Sequence, residues 1–105
     1  MARRNPSDQT AHNKGVRRTA DELDREGWNV QADHISSYDS PPTVNGHVPD
    51  VYATKRGGTR IIEVETSRED DQNQHTAFRR SAGQTGANFY GYVVDSAGRR
   101  QEQFE

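Results

Sequence analysis

The stretch Val48-Pro49-Asp50-Val51-Tyr52-Ala53-Thr54-Lys55-Arg56-Gly57-Gly58-Thr59-Arg60-Ile61-Ile62-Glu63-Val64-Glu65-Thr66 decides how the rest of the chain is read. Two β-prone runs, Val48–Thr54 and Thr59–Thr66, flank Lys55-Arg56-Gly57-Gly58. A Gly-Gly pair supplies the positive φ angles that a tight hairpin turn demands, so the two runs are expected to pair. Side chains alternate across a strand, which puts Glu63 and Glu65 on one face and Ile62 and Val64 on the other, toward a core. A turn between Gly57 and Gly58 would set Asp50 opposite position 65 and Tyr52 opposite position 63. Any register that keeps these faces together gathers Asp50, Glu63 and Glu65 closely.

Working outward, Val16, Ala20 and Leu23 recur at the spacing of one helical face, with Trp28 just beyond. This predicts a helix over Ala11–Gly27, with Gly27 as its stop. Trp28, Val30 and Ala32 alternate with polar residues, the pattern of a short half-buried strand. Residues 36–46 hold Ser-Ser, Pro41-Pro42 and Asn45-Gly46 and read as a loop. After the hairpin, Ser67 or Asp71 suits a helix N-cap. Ala77, Phe78 and Ala82 mark the buried face of that helix, which Gly83 and Gly86 end. Phe89–Asp95 is apolar nearly throughout, as in a central strand covered on both sides. The order is α-β-β-β-α-β, and the expected fold class is α/β: a mixed sheet with flanking helices. Ser96–Glu105 is a polar tail, in which Phe104 could add a weak edge strand. Met1–Thr10 has no periodicity and reads as a disordered basic arm, leaving Ala11–Asp95 as a single domain.

Composition tests whether such a fold is affordable. The chain has 105 residues, is 29% hydrophobic, and contains no cysteine. Leu, Ile, Val and Phe number only fifteen, about 14% and below the roughly 20% under which chains tend toward disorder. The companion signature of disorder, a large net charge, is missing at −2. Twelve of the fifteen lie between Trp28 and Val94, which makes folding credible there. Trp28, Ile61, Ile62, Val64, Phe78, Val93 and Val94 are expected to supply most of the core, and a dimer contact or a bound metal could complete it. The absence of cysteine excludes disulfide scaffolds and thiolate zinc sites. No apolar run approaches the length of a transmembrane helix. The basic start lacks an apolar stretch behind it, so no secretory signal is expected and the cytoplasm is the expected compartment.

The small net charge hides a division. Met1–Arg18 holds five basic residues and one acid, whereas residues 19–71 hold twelve acids and five bases. Three like charges on one strand face repel one another unless a cation neutralises them. A hard divalent ion does this with one or two carboxylates, water and phosphate oxygens. The alternative is an acidic strand face turned to solvent. Two histidines, His34 and His47, flank the long loop, and His47 could pair with Asp50 around a metal. His12 and His75 lack partners in the sequence and are expected at the surface.

Val48-Pro49-Asp50-Val51 followed by Arg60-Ile61-Ile62-Glu63-Val64-Glu65-Thr66 resembles the PD-(D/E)xK nuclease signature. In that superfamily a Pro-Asp pair opens one strand and Glu-x-Lys follows on the next. The element order is similar to the restriction-endonuclease-like fold, most of all to archaeal Holliday-junction resolvases. Lys14-Gly15 at the start of the first helix, Glu26-Gly27-Trp28 at its end, and the glycine-bearing junction at Gly83–Tyr90 add to the likeness, which spans about Asn13 to Asp95. The resemblance implies Asp50 and Glu63 as metal ligands, with the Val64 carbonyl as a third, and Mg²⁺ or Mn²⁺ as cofactor. Glu65 stands where the family usually has lysine. It cannot supply positive charge, but it could orient the attacking water as a base or bind a second metal. The glutamate that resolvases carry on the first helix would fall at Val16 or Thr19, and Glu22 lies about one turn away. Gln74 and Phe78 resemble the Gln-x-x-x-Tyr of some relatives, although Phe78 also suits a core position.

By this resemblance the chain would be a metal-dependent DNA endonuclease acting on branched DNA, as a homodimer, with no membrane partner and no small-molecule cofactor. Arg3, Arg4, Lys14, Arg17 and Arg18, with Lys55, Arg56, Arg60, Arg79 and Arg80, would ring the acidic centre and hold DNA phosphates. A catalytically inactive DNA-binding or structural module retaining the nuclease fold is the alternative, and a small acidic interaction protein is a third reading.

Overall fold

The computed structural model describes residues 6–66 and 72–105. Its elements run α1 (Pro6–Arg25), β1 (Asn29–Ala32), β2 (Val51–Lys55), β3 (Gly58–Glu65), α2 (Gln72–Thr85), β4 (Asn88–Val94) and β5 (Arg100–Gln103). They form one α/β domain with a five-stranded mixed sheet in the order β1-β2-β3-β4-β5. Only β3 and β4 are parallel; the other neighbours are antiparallel. The parallel pair needs a crossover connection, and α2 provides it.

Helix α1 begins five residues earlier than the apolar spacing indicates. Pro6 takes the first helical position, where its missing N–H costs nothing and its fixed φ already suits a helix. Part of the expected arm is therefore helix, and residues 1–5 lie outside the described residues. Gly27 ends the helix at φ 91°, with the Trp28 N–H donating to the Leu23 carbonyl and the Gly27 N–H to the Asp24 carbonyl. Ser67 and Asp71, the expected caps of α2, are outside the described residues. Helix α2 runs through Gly83 and stops at Gly86, which adopts φ 76°.

The hairpin forms as expected, but its turn sits one residue earlier than Gly57-Gly58. Arg56 and Gly57 occupy the turn at φ 50° and 83°, and Lys55 pairs with Gly58. Tyr52 is therefore opposite Ile61, and Val51 opposite Ile62, a shift of two residues that leaves the faces unchanged. The preceding loop closes on a second such turn, with Asn45 and Gly46 at φ 49° and 80°.

The two helices cover opposite faces of the sheet. On one, Val16, Ala20 and Leu23 of α1 pack with Val30, Ala32, Ile35, Val51, Ala53, Ile62, Val64 and Val94. Gly15 permits this approach: a Cβ there would stand 2.7 Å from Val64 Cγ1 and 3.1 Å from both Val94 methyls. Strand β3 carries the burial expected of β4. Ile61 to Glu65 are all buried on it, whereas Phe89, Tyr90, Tyr92 and Val93 of β4 are half-buried. The C-terminal segment is not a frayed tail. It adds β5 as an edge strand, and the Phe104 N–H donates to the Gly91 carbonyl. Among the described residues no helix is long and apolar enough to cross a membrane.

Candidate metal centre

Strand β3 continues past the last residue of β2 that it pairs with. Beyond Ile62, its residues Glu63, Val64 and Glu65 pair with β4 on one side only, opposite Gly91, Tyr92 and Val93. On the open side the ladder is replaced by side chains. The Val64 N–H donates to Asp50 Oδ2 at 2.8 Å, and the Asp50 N–H donates to Glu63 Oε2 at 2.8 Å. This reciprocal bracket locks the start of β2 to β3 through two carboxylates. A residue in a strand directs its C=O to the same side as its N–H, so the Val64 carbonyl faces the same opening.

The hairpin thus brings Asp50, Glu63 and Glu65 together, and α2 closes over them. Gln74 Nε2 donates to Glu63 Oε1 at 2.5 Å, and His75 Nε2 stands 2.9 Å from Glu65 Oε1. Glu63, Glu65 and His75 are each about 1% exposed, and Asp50 is 8% exposed. The acidic face is therefore not turned to solvent. Burial is the main influence holding the Glu63 carboxyl well above the usual glutamate range. The Asp50 charge pushes it further, the Asp50 N–H pulls it back, and the Glu65 charge adds to the rise.

Among the described residues, Glu63, Glu65 and His75 form a buried group that could hold a metal ion: one donor atom from each lies within 4.8 Å of the others. Two donors across one ion, bound at about 2.1 Å each, stand about 4.2 Å apart. The donor set, two carboxylates and an imidazole in a nearly water-free site, is chemically suited to a divalent cation.

Two histidines expected at the surface are buried here instead. His12 of α1 is 8% exposed with Nε2 3.0 Å from Asp50 Oδ1, and His75 approaches from α2. The helical spacing did carry the signal. His12 precedes Val16 by four residues and Leu23 by eleven; His75 precedes Phe78 by three and Ala82 by seven. Each is on its helix's buried stripe. His12, rather than Glu22, is the side chain of α1 that meets Asp50; Glu22 lies 3.4 Å from Arg100 at the outer surface. His47 does not approach Asp50 as a partner, but packs edge-on against Phe78 at 6.1 Å, and His34 is exposed beside Asp33. Gln74 bonds Glu63 while Phe78 is fully buried, so that pair divides into a polar and a core residue.

The basic residues are scattered rather than ringed about the carboxylates. Lys14 and Arg17 line a groove with Thr10, Asn13, His34, Ile35 and Ser36. One of its lining residues, His34, follows Asp33, whose N–H donates to the Asp50 carbonyl at 2.9 Å. Arg18 donates to the Ala97 carbonyl. Lys55 and Arg56 are at the other end of the hairpin from Asp50, about 17 Å along a five-residue strand. There Lys55 Nζ bonds the Glu26 carbonyl at the end of α1, and Arg60 stacks between Trp28 and Tyr90. Arg79 is paired with Glu105 and Arg80 is exposed on α2. Arg3 and Arg4 are outside the described residues.

No family model matches the chain, and no curated protein matches it.

Proposed function

We propose that this chain is a metal-dependent DNA endonuclease of the PD-(D/E)xK, restriction-endonuclease-like type, cutting phosphodiester bonds in branched DNA as a homodimer. The observation that carries the proposal is the convergence of Asp50, Glu63 and Glu65 where β2 parts from β3, with two of the three carboxylates bracketing that opening. Burying like charges is costly, and a cation is the complement that offsets that cost.

Asp50 and Glu63 are the proposed ligands of Mg²⁺ or Mn²⁺, with the Val64 carbonyl beside them. A bound ion of this kind would supply an activated water and neutralise charge developing on the phosphodiester. Between the two roles open to Glu65, its burial and its contact with His75 favour metal binding over a base that must reach solvent. Gln74 fixes the orientation of Glu63, and His12 that of Asp50. Lys14 and Arg17, which line one groove beside α1, are the basic residues proposed to hold a phosphate.

One observation favours the alternative, a module that binds DNA without cutting it. Both oxygens of Asp50 and both of Glu63 already face protein groups, an arrangement that also suits a purely structural bracket. Incubating the protein with four-way junction, duplex and single-stranded DNA in Mg²⁺ or Mn²⁺ separates the two. Cutting that Asp50→Ala abolishes supports the endonuclease; DNA binding that persists in chelator, with no cutting under either ion, supports the module.

A further inference from the structure

We infer that the centre takes a borderline transition ion such as Mn²⁺, Co²⁺ or Zn²⁺ in preference to Mg²⁺, with His75 as a direct ligand beside Glu63 and Glu65. This rests on the reading of the acidic cluster as a metal centre and assigns it a histidine ligand and an ion class.

Two independent features lead there. The first is the donor itself. The imidazole comes from a different element than the acids, is 1% exposed, places Nε2 2.9 Å from Glu65 Oε1, and has a ring nitrogen within 4.8 Å of a carboxylate oxygen of Glu63. Imidazole favours later first-row ions, whereas Mg²⁺ prefers oxygen alone. The ring is also held in place. It packs in tilted contact with Phe104 at a centroid distance of 4.9 Å and with Phe89 at 6.2 Å. Phe104 is in turn seated on Gly91, where any Cβ would collide with its ring. The C-terminal segment therefore packs against the imidazole ring through Phe104.

The second feature is dryness. Mg²⁺ dehydrates reluctantly and usually keeps several waters. Glu63, Glu65 and His75 are each about 1% exposed, and two phenylalanine rings pack against the imidazole, an environment that favours an ion content with few ligands. Zn²⁺ is satisfied by four, three of which Glu63, Glu65 and His75 can supply.

The test uses the full chain, stripped of metal with chelator and titrated with Mg²⁺, Mn²⁺, Co²⁺ or Zn²⁺ by calorimetry. Mn²⁺, Co²⁺ and Zn²⁺ are expected to bind at least about tenfold more tightly than Mg²⁺. His75→Ala should weaken the three transition ions by about tenfold or more while leaving Mg²⁺ nearly unchanged. In the unaltered protein, labelled with ¹⁵N at histidine, Zn²⁺ should shift the His75 Nε2 resonance, and this readout decides the matter even if the variant fails to fold. Equal affinity for Mg²⁺, or a His75 resonance unmoved at Zn²⁺ saturation, overturns the inference. The endonuclease reading fails separately: Zn²⁺ bound through His75 without DNA cutting under any ion removes the nuclease and leaves the site. Cutting in Mg²⁺ with His75 unaffected does the reverse.

Discussion

The two faces of β3 are built on opposite principles. Toward α1, Ile62 and Val64 meet Val16, Ala20, Leu23 and Val94 in a dry contact tight enough to need glycine at position 15. Toward α2, Ile61 shares its face with Glu63 and Glu65, and the helix answers with Gln74 and His75 as well as Phe78. The α1 face buries apolar area, which stabilises the fold. The α2 face buries acids, which costs stability unless something neutralises them. In a chain with so few large apolar residues, the α1 face must supply most of the cohesion of the domain.

Neighbouring residues on one strand should therefore respond to mutation with opposite signs. Ile62→Ala removes a core side chain from the α1 face and should cost about 2–5 kcal/mol of unfolding free energy, measured by urea denaturation in chelator. A loss below about 1 kcal/mol would show that the face is loosely packed. Gly15→Val should cost about 1–3 kcal/mol by forcing α1 off the sheet. A neutral outcome would mean the close approach of α1 to Val64 and Val94 is not needed.

On the other face, Glu63→Gln should stabilise the metal-free protein by about 1 kcal/mol near pH 8. The sign follows from the raised carboxyl of Glu63. Between the ordinary glutamate range and that raised value, the folded state keeps a proton that the unfolded chain has released. The stability contributed by the protonated group is complete below the ordinary range and is lost as pH climbs through the folded value. Thermal melts in chelator from pH 4 to pH 8 should show a fall in stability with rising pH that is shallower in Glu63→Gln. Parallel curves for the two proteins would contradict the unfavourable burial of this acid. Smallest of all, Arg79→Ala should cost only about 0.2–1 kcal/mol, and less in high salt, because its pair with Glu105 is largely exposed. A larger loss would mean that the C-terminal segment depends on this pair to stay over α2.

Much of this contrast is legible in the sequence. Alternation in Arg60–Thr66 separates the apolar and acidic faces of β3 correctly, because a strand's period of two survives any register. The register itself is displaced: a turn at Arg56-Gly57 requires a left-handed arginine, and Gly58 beside it offers an equally suitable glycine. The burial of His12 and His75 is encoded at helical spacing, but a histidine alone does not say whether its stripe faces a sheet or water. Nor could the sequence show that β3 outruns β2 by three residues. That length difference, fixed by where Pro49-Asp50 leaves the ladder, is what opens the site. The edge strand β5 is nearly silent in sequence because Arg100–Gln103 is polar throughout; its anchor is Phe104 on Gly91.

The central claim is that the α2 face is completed by a cation. It is tested most directly by thermal unfolding of the unaltered protein and of Glu63→Gln at pH 8, in chelator and in Mn²⁺. An ion at a hundredfold excess over its dissociation constant stabilises a single-site protein by about 2.7 kcal/mol. The account predicts a rise of that order for the unaltered chain and little or none for Glu63→Gln, so that the variant is the more stable of the two in chelator and loses that lead in Mn²⁺. An unaltered protein whose melting temperature does not respond to Mn²⁺, Mg²⁺ or Zn²⁺ would contradict it.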